Sequence, residues 1–544
     1  MTAYWVFNGL QRVALLLSAA WLAWIAPASA AGPSPPRKVI LIAGPLDSHP
    51  RESHEYEKNV ILLKHCLDTS PDLKGVTVEA HFNGWPTNLA TLDDAATILL
   101  TSGGSDRRET DHPLYVGDRF DQLARQMRRG CGLVLFHWST FNPRRVHDPI
   151  TEWVGGYFDY ESGNTPNKWF SAIQTRDWMT AVAAPEHPIA RGVKPFKVTE
   201  EFYFNLRFRE KDPRLRPILL KESGGDTLAN TVGWAVERTD GGRGFGFTGG
   251  HFYKNWWLPD FRRLVLNAIV WTARLEVPVG GVRSELGERF RTLIVTGHNH
   301  PAHDWRSTTA ALLHVLEQDP RALVEVTENL EDIASPRLSD YPLLVLNYCN
   351  WQRPGLSDAA KTNLTRYLSN GGGVAVIHFA NGAFHSSLPG AETSDWPEYQ
   401  RIVRRVWDHK GGSGHDAFGP FRVDIAATAH TITRGLVPFD TVDELYFKQA
   451  GNEPIESLAT ARSRVTGRDE PMAWAYNYGH GRVFQTVLGH ADQSVRKAAP
   501  LLRRGSVWAA SREPLSFDPP PELVERASFR AGSPWTPEKS KASQ

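Results

Sequence analysis

Cysteine is scarce in this sequence, which has three cysteines among 544 residues: Cys66, Cys131 and Cys349. Three cysteines cannot form the disulfide framework that holds small secreted domains together. Cys66 falls on the apolar side of a predicted helix and Cys131 directly precedes a predicted strand. We therefore predict that both are small core residues rather than nucleophiles.

An excess of charge and the common cofactor motifs are also missing. The 61 basic and 60 acidic residues leave a net charge of +1, which gives no support for a nucleic acid or an anionic membrane surface as a partner. There is no glycine-rich dinucleotide fingerprint and no C-x-x-C-H haem motif, which disfavours a redox function. There is also no H-E-x-x-H motif to identify a metal site in advance.

A long apolar run occurs only near the N-terminus, over Val13–Ile25. The run is shorter than the ~20 residues of a membrane-spanning helix. It follows Arg12 and precedes an A-x-A site that ends at Ala30. This pattern predicts a signal peptide over 1–30 with cleavage near Ala30, then a Pro-rich segment over 31–37. We expect a periplasmic or secreted protein without a transmembrane span after cleavage; an uncleaved anchor is the alternative.

Histidine-rich loops follow two predicted strands that lie far apart in the sequence. Strand candidates at Val39–Ile42 and Leu293–Thr296 each lead into a polar loop and then a helical pattern. Both loops carry two histidines with the same spacing and an acid after the second: His49, His54 and Glu55 in one, His298, His303 and Asp304 in the other. In an open α/β sheet, ligands bind at the carboxyl ends of the strands. Both loops are therefore candidate sites.

The similarity between the two loops extends to five further pairs of segments. The pairs are 132–138 with 373–379, 187–196 with 430–439, 200–204 with 443–447, 233–237 with 473–477, and 242–252 with 481–491. They occur in the same order and are about 240–250 positions apart. Chance would not preserve both order and spacing, so the sequence predicts a duplication into two domains rather than a solenoid of short repeats.

The pattern within each repeat is typical of an α/β domain. Apolar strand candidates alternate with helical patterns, which predicts a parallel sheet with helices on both faces. We place a first domain at 38–275, a linker at 276–290 and a second domain at 291–511. The charged, Pro-rich tail at 512–544 is expected to be extended or disordered.

With these segments in place, the sequence resembles the trehalose-utilisation (ThuA-like) family over nearly all of the exported chain, twice. The resemblance is carried by HP…HEYE and HPAHDW, FHWST and IHFAN, the HPIARG element, EEFYF and DELYF, and GR…GH near each domain's end. It implies a fold like that of class I glutamine amidotransferases: two tandem flavodoxin-like three-layer sandwiches with parallel sheets. It also implies a link to carbohydrate metabolism, with disaccharides or their 3-keto forms as substrates.

One departure from the amidotransferase pattern bears directly on the chemistry. Those enzymes carry a nucleophilic cysteine at the sharp turn after a central strand, where this sequence has His137 in the first domain and His378 in the second. Ser139 and Thr140 lie further along without the G-x-S-x-G context that exposes a nucleophile. Amidotransferase and serine-hydrolase chemistry are therefore disfavoured.

If the sheets are parallel, the polar residues after their strands converge at one edge. The catalytic candidates are His137, Glu201 and His251 in the first domain and His378, Glu444 and His490 in the second. His49, His54, His298 and His303 are candidate metal ligands, and Glu55, Asp304, Trp138 and Trp256 are candidate substrate-binding residues. Such a set suits Zn²⁺ or another divalent metal. It equally suits metal-free acid–base chemistry with Glu201 or Glu444 as the base.

The resulting hypothesis is an exported protein that cleaves or isomerises a glycoside or keto-sugar, because a 3-keto group acidifies the neighbouring C–H. A non-catalytic sugar-binding or scaffold protein is the alternative. We expect the main catalytic site in the second domain, whose first loop is denser in candidate ligands: His298, His300, His303 and Asp304. Tyr203 and Tyr446 alternate with apolar neighbours, which predicts core positions.

Overall fold

The computed structural model describes residues 37–161, 170–297, 300–390, 394–520 and 523. The predicted signal peptide, most of the Pro-rich segment and His298 lie outside the described residues. Among the described residues, no helix is both long and apolar enough to cross a membrane. Cys66, Cys131 and Cys349 are free and buried, as predicted for the first two.

The first half of the chain is built on an eight-stranded sheet of order β2-β1-β3-β4-β12-β11-β10-β7. Its strands are β1 (Arg37–Ala43), β2 (Val76–His81), β3 (Ala95–Thr101), β4 (Gly132–Phe136), β7 (Ala181–Val182), β10 (Leu215–Leu220), β11 (Thr231–Glu237) and β12 (Arg243–Phe247). Strands β2, β1, β3, β4 and β12 are parallel, and β11, β10 and β7 extend the sheet in antiparallel fashion. The sequence predicted the parallel strands but not this extension.

Helices cover both faces of the first sheet. They are α1 (Tyr56–Thr69), α2 (Arg119–Arg128), α3 (His147–Val154), α4 (Thr227–Asn230) and α5 (Pro259–Thr272). Val39 and Leu41 of β1 pack in a core with α1 and α5, whereas Ile40 and Ile42 pack in a second core with α2 and α3. Successive side chains of a strand point to opposite faces, so the continuous apolar run of β1 serves both layers.

Two ribbons stand apart from the first sheet. One pairs β5 (Gly156–Tyr157) with β9 (Arg207–Phe208), and the other pairs β6 (Ala172–Met179) with β8 (Lys197–Phe204). The second ribbon matters for the site because β8 carries the acidic pair Glu200 and Glu201.

The second half repeats the same arrangement in a nine-stranded sheet of order β14-β13-β15-β16-β23-β22-β21-β18-β19. Its strands are β13 (Phe290–Val295), β14 (Ala322–Thr327), β15 (Leu343–Leu346), β16 (Gly373–Ile377), β18 (Gly419–Ile425), β19 (Phe439–Asp443), β21 (Ser457–Arg462), β22 (Asp469–Tyr478) and β23 (Gly481–Thr486), beside the ribbon of β17 (Gly414–His415) and β20 (Tyr446–Phe447). Its helices are α6 (Trp305–Glu317), α7 (Asp358–Ser369), α8 (Pro397–Val403), α9 (Asp492–Lys497) and α10 (Ala499–Ala509). The first five strands are again parallel. The chain is thus two tandem flavodoxin-like sandwiches, as the sequence indicated.

The segment after α10, residues 512–520, runs without helix or strand and packs on the first half; we call it the C-terminal strap. Leu515 lies in an apolar cluster with Ile61 of α1. The Ser516 backbone N–H donates to His65 Nδ1 at 3.2 Å, and Phe517 lies under the Lys64 ammonium. The last described part of the second half therefore covers a helix of the first.

Candidate active site

Three histidines and a glutamate of the first half meet at the carboxyl ends of its parallel strands. His54 lies between β1 and α1, His137 follows β4 directly, and His251 follows β12. Glu201 reaches the same place from β8. We call these four residues the first histidine cluster. Their convergence follows from topology, since the carboxyl ends of parallel strands share one edge of the sheet.

Three of the histidines in the two halves occupy a strained backbone conformation. His54, His137 and His378 have φ of 52°, 54° and 44°, in the left-handed region that non-glycine residues rarely adopt. Such a residue costs of order 1–3 kcal/mol and persists when its surroundings hold it. At the turn after β4, the Phe136 N–H donates to Ser139 Oγ at 2.8 Å. Ser139 is buried and stabilises the turn that carries His137, so it is not exposed as a nucleophile.

The side-chain distances in the first histidine cluster are short. His54 Nε2 lies 3.1 Å from His137 Nε2 and 3.0 Å from His251 Nδ1. His251 Nδ1 lies 3.4 Å from Glu201 Oε1. One nitrogen or oxygen from each of the four residues lies within 4.8 Å of all the others. A single small ligand or ion could contact all four.

Hydrogen bonds on the outer side fix which ring nitrogens face the cluster. His137 Nδ1 lies 2.7 Å from the Thr248 carbonyl oxygen, and His54 Nδ1 lies 3.1 Å from Asp47 Oδ2. The Thr248 carbonyl and the Asp47 carboxylate only accept hydrogen bonds. The Tyr56 hydroxyl, 2.9 Å from His54 Nδ1, donates its own proton to Asp47, so both Nδ1 atoms are assigned a proton. In the neutral rings the Nε2 lone pairs then face the cluster. The Tyr203 hydroxyl lies 2.8 Å from His137 Nε2.

Burial sets the protonation of these groups. It lowers the pKa of His54 and of His137, and it lowers the pKa of His251 to about 4. Burial alone would raise the pKa of Asp47, but hydrogen bonds from the two loop histidines and from a tyrosine bring it well below its ordinary value. Near neutral pH the imidazoles are therefore neutral beside an ionised carboxylate, which suits both ligation and proton transfer.

The acidic pair on β8 divides its work between backbone and cluster. Glu200 is fully buried and accepts four hydrogen bonds, from the backbone N–H groups of Glu201, Gly250 and His251 and from Asn255 Nδ2, at 2.8–3.1 Å. Burial raises the pKa of Glu200 to about 7 although the four donors oppose that shift. Glu200 thus positions the Gly-His turn, and Glu201 faces the His251 ring.

The second half builds a second histidine cluster from His303, His378 and His490, whose ligand-type atoms also lie within 4.8 Å of one another. His378 Nδ1 lies 2.6 Å from a backbone carbonyl, that of Val487, and its Nε2 lies 2.8 Å from the Tyr446 hydroxyl. Glu444 Oε2 lies 3.1 Å from His490 Nδ1. Burial lowers the pKa of His303 to about 2. The constellation of the first half is therefore built twice.

The two clusters differ in the support behind the loop histidine. Asp47 precedes His54 by seven residues, and the residue with the same offset from His303 is Thr296. Its hydroxyl pairs with Thr309 at 2.8 Å. In addition, Glu201 belongs to the first group of mutually close ligand-type atoms, whereas the second group consists of the three histidines without Glu444. The first cluster is thus the more complete of the two.

Two predicted substrate-binding residues lie at the cluster's rim or away from it. Trp138 contacts it, with its ring 5.1 Å from that of His54. Trp256 does not: it is 1 % exposed, stacks on Phe136 and donates to Asn59. Trp256 is therefore a core residue, which corrects the prediction; a buried indole that satisfies its N–H internally has no face left for a sugar.

The two acids after the loop histidines are also corrected, because both serve local backbone. Asp304 is the N-cap of α6 and accepts from the N–H groups of Arg306 and Ser307. Glu55 accepts from the Glu52 N–H at 2.8 Å. An acid just before a helix stabilises the free N–H groups of its first turn, and this role explains Asp304. Glu55 makes no such bond to α1 and instead fixes the loop before it.

His49, a predicted metal ligand, lies beside the first histidine cluster, and its side chain is 21 % exposed. Its ring stacks on that of His54 at 3.7 Å, and its Nδ1 lies 2.8 Å from Asp47 Oδ1. It belongs to a group with Asp47 and His54. The structure thus joins His54 to the predicted catalytic residues His137, Glu201 and His251, and it places His49 next to this cluster rather than in it.

The two tyrosines expected in the core are the residues that sequence reasoning missed. Tyr203 and Tyr446 are buried, yet each hydroxyl lies 2.8 Å from the histidine that follows the central strand of its half: His137 for Tyr203 and His378 for Tyr446. The available signal was their recurrence in EEFYF and DELYF, because a buried tyrosine hydroxyl that recurs in both copies needs a partner in both.

Comparison with known proteins places this fold and site in a family. The geometry defines a tandem α/β sandwich with a histidine cluster at the carboxyl ends of the parallel strands in each sheet. The model of the ThuA family, described as trehalose utilisation, matches residues 69–272 and 291–509. The chain therefore belongs to the ThuA family. No curated protein matches it.

Solved structures similar to the chain include two described as ThuA-like proteins. One, from Parabacteroides merdae ATCC 43184, has 25 % identity over 42 % of this chain and 93 % of its own, with a TM-score of 0.37. The other, from Bacteroides uniformis ATCC 8492, has 17 % identity over 42 % and 95 %, with a TM-score of 0.32. A β-galactosidase from Rahnella sp. R3 has 14 % identity over 45 % and 34 %, with a TM-score of 0.28.

Proposed function

We propose that this protein is an exported carbohydrate-processing enzyme that cleaves or isomerises a glycoside or keto-sugar at the first histidine cluster. The observation that carries the proposal is the presence of one buried His–Glu–Tyr constellation in both halves of a ThuA-family chain. Trehalose utilisation, the family's description, supports a carbohydrate as the substrate.

The exposed side of the first histidine cluster supports acid–base chemistry. The side chains of His251 and Glu201 are 12 % and 22 % exposed, whereas His54 and His137 are almost fully buried. A sugar can therefore reach the Glu201–His251 pair but not the rings behind it. Trp138 lies beside the cluster, but its ring is largely buried under Arg107 and its N–H donates to Asp106.

A keto-sugar would use this pair in a simple way. A ketone at C3 acidifies the C–H bond at C2, and Glu201 would accept that proton as the general base. The electron pair left on C2 forms the double bond to C1 as the glycosidic oxygen leaves. The proton on Glu201 would pass to His251 Nδ1, 3.4 Å away, as the other nitrogen of that ring gives its proton to the leaving oxygen. Tyr203 would hold His137 in place during the transfer.

We place the main site in the first half, against the expectation from the sequence. That expectation rested on the density of the second loop, but Asp304 caps a helix and His298 lies outside the described residues. The second cluster is instead bordered by aromatic rings: Trp351 at 4.4 Å from His300, Phe379 at 4.0 Å from His303, and Phe418 at 5.2 Å from His490. These rings favour sugar binding without turnover as the function of the second half.

The test is a screen of disaccharides and their 3-keto derivatives with matched variants. Glu201→Gln or His251→Asn should lower turnover by ~10²-fold or more, whereas Glu444→Gln and His490→Asn should lower it much less. His187→Asn, which removes a first-half histidine outside the cluster, is the control. Turnover lost only in the second-half variants would reverse the assignment. Binding of these sugars without turnover of any would establish the sugar-binding alternative.

Export is proposed from the N-terminal pattern alone. N-terminal sequencing of the protein recovered outside the cytoplasm should give a chain that begins near Ala31. Retention of Met1 would refute cleavage.

A further inference from the structure

The first histidine cluster places unprotonated nitrogens against one another. The Nδ1 protons of His54 and His137 are committed to Asp47 and to the Thr248 carbonyl, so the two Nε2 lone pairs face each other at 3.1 Å. Two acceptors at this distance repel. The Tyr203 hydroxyl lies 2.8 Å from His137 Nε2. A cation that accepted both lone pairs would replace this repulsion by attraction.

The spacing of the donor atoms matches the requirement of a particular kind of cation. A tetrahedral Zn²⁺ site with bonds of about 2.0–2.1 Å has ligand atoms about 3.3 Å from one another. Three of the six edges are 3.0 Å between His54 and His251, 3.1 Å between His54 and His137, and 3.4 Å between His251 and Glu201, and the other three are no longer than 4.8 Å. Three imidazole nitrogens and one carboxylate oxygen are also the ligand types that divalent transition metals prefer.

The outer partners add a second line of support. Metal-bound histidines usually donate their remaining N–H to a carboxylate or a backbone carbonyl, which fixes the ring and its tautomer. Asp47 does this for His54, and the Thr248 carbonyl does it for His137. The strained backbone of both histidines shows that the fold holds the two rings in these positions.

We infer that the first histidine cluster binds one divalent transition-metal ion of the Zn²⁺ class through His54 Nε2, His137 Nε2, His251 Nδ1 and a Glu201 oxygen. The inference deepens the proposed function, since it concerns the same site, but it does not require turnover. An ion held there would polarise a sugar carbonyl or hydroxyl. The second histidine cluster binds such an ion more weakly, because Thr296 stands in the place of Asp47 and Glu444 is not among the mutually close ligand-type atoms.

The experiment measures metal content directly on the mature full chain. The protein is stripped with a chelator, loaded with Zn²⁺ or Co²⁺ and passed over a desalting column. One tightly bound metal ion should be retained per chain, and bound Co²⁺ should give the intense visible absorption bands of a tetrahedral site. His137→Ala and Glu201→Gln should lose this ion, while the matched His378→Ala and Glu444→Gln should keep it. Asp47→Asn leaves the four ligands in place and should weaken binding by ~10–100-fold.

Several outcomes would overturn the inference. One is a wild-type protein that retains no more Zn²⁺ or Co²⁺ than His137→Ala; another is loss of the tightly bound ion in His378→Ala instead. Near-ultraviolet circular dichroism and the metal-free thermal midpoint show whether each variant is folded. Asp47→Asn keeps the test decisive if His137→Ala does not fold.

Turnover assays on the same samples separate the two proposals. Stripped protein that takes up no metal but still processes a sugar would refute the metal site and leave the proposed function standing. Protein that binds one tight equivalent at the first cluster but turns over no sugar would do the reverse.

Discussion

Glu200→Gln tests how the fold holds His251 without touching any ring of the first histidine cluster. In the wild type, Glu200 Oε1 accepts from the Glu201 and His251 N–H groups, and Oε2 accepts from Gly250 N–H and Asn255 Nδ2. A glutamine must present an NH₂ group on one side. Whichever oxygen the NH₂ group replaces, about two hydrogen bonds are lost. If it replaces Oε2, Asn255 could turn its amide oxygen toward the glutamine, but it would then give up its own bond to the Thr199 carbonyl.

The magnitude follows from these two bonds. A hydrogen bond to a charged group contributes about 1.5–3 kcal/mol, and a buried donor left without a partner is costly. Because burial raises the pKa of Glu200 to about 7, the comparison is made at about pH 8, where the carboxylate is mostly ionised. Removing a buried charge offsets part of the loss, so we expect the Gly250–His251 turn to be destabilised by about 2–3 kcal/mol. That corresponds to amide exchange about 30–150-fold faster. Asp443→Asn is the matched variant, since its NH₂ at the Oδ2 position opposes only the Gly489 N–H.

Hydrogen–deuterium exchange followed by mass spectrometry is the assay, read on the peptide that spans the Gly250–His251 turn. The Gly489–His490 peptide of the same sample is the internal reference. Asp443→Asn should accelerate its own turn by a smaller factor, because one bond is lost rather than two. If Glu200→Gln leaves exchange of the first turn unchanged, the buried carboxylate does not anchor His251 and the reasoning is refuted.

Three further changes test the fold and the site. Tyr203→Phe removes the hydroxyl beside His137 and should lower kcat by ~10-fold or more while the metal content is unchanged. An equal effect of Tyr446→Phe would contradict the assignment of the main site to the first half. His112 is fully buried, and burial lowers its pKa to about 4. The unfolded chain therefore gains this proton below about pH 6.5 and the folded protein only near pH 4, so stability falls by up to ~3 kcal/mol across that window. His112→Asn should lose less stability in urea unfolding at pH 5 relative to pH 7 than the wild type, and an identical loss would exclude this source. Ending the chain after Ser511 removes the C-terminal strap and should lower the thermal midpoint, since burial of Leu515 alone contributes about 1.5–3 kcal/mol; an unchanged midpoint would show that the strap adds no stability.

The parallel core of each half was predictable because its strands are buried on both faces. A strand such as β1 then reads as an unbroken apolar run, and its position before a histidine loop puts the loop at the sheet's ligand-binding edge. The repeat made the prediction firmer, since His54 and His303, or His137 and His378, had to occupy equivalent positions. The antiparallel strands β10 and β11 carry a similar apolar pattern, and their direction depends on connections that composition does not reveal.

The division of labour among the polar residues could not be predicted. An acid before a helix can cap it or face a ligand, and only the coordinates show that Asp304 caps α6. A tryptophan after a site loop can lie beside a cluster or fill a core, as Trp138 and Trp256 show in turn. The partner of Tyr203 lies 66 residues away on another strand, so no local pattern announces it.

The C-terminal strap has a consequence for the history of the duplication. Two copies that began as equals would each have been able to fold alone. Here the end of the second copy covers Ile61 and binds His65 on the first, and Arg51 pairs with Glu317 across the same junction. A first half separated from the second would leave Ile61 of α1 without Leu515 over it, so we expect it to be less stable alone than in the full chain. The two copies already differ in their sites, since Thr296 stands where the first copy has Asp47. They nevertheless remain parts of one folded chain.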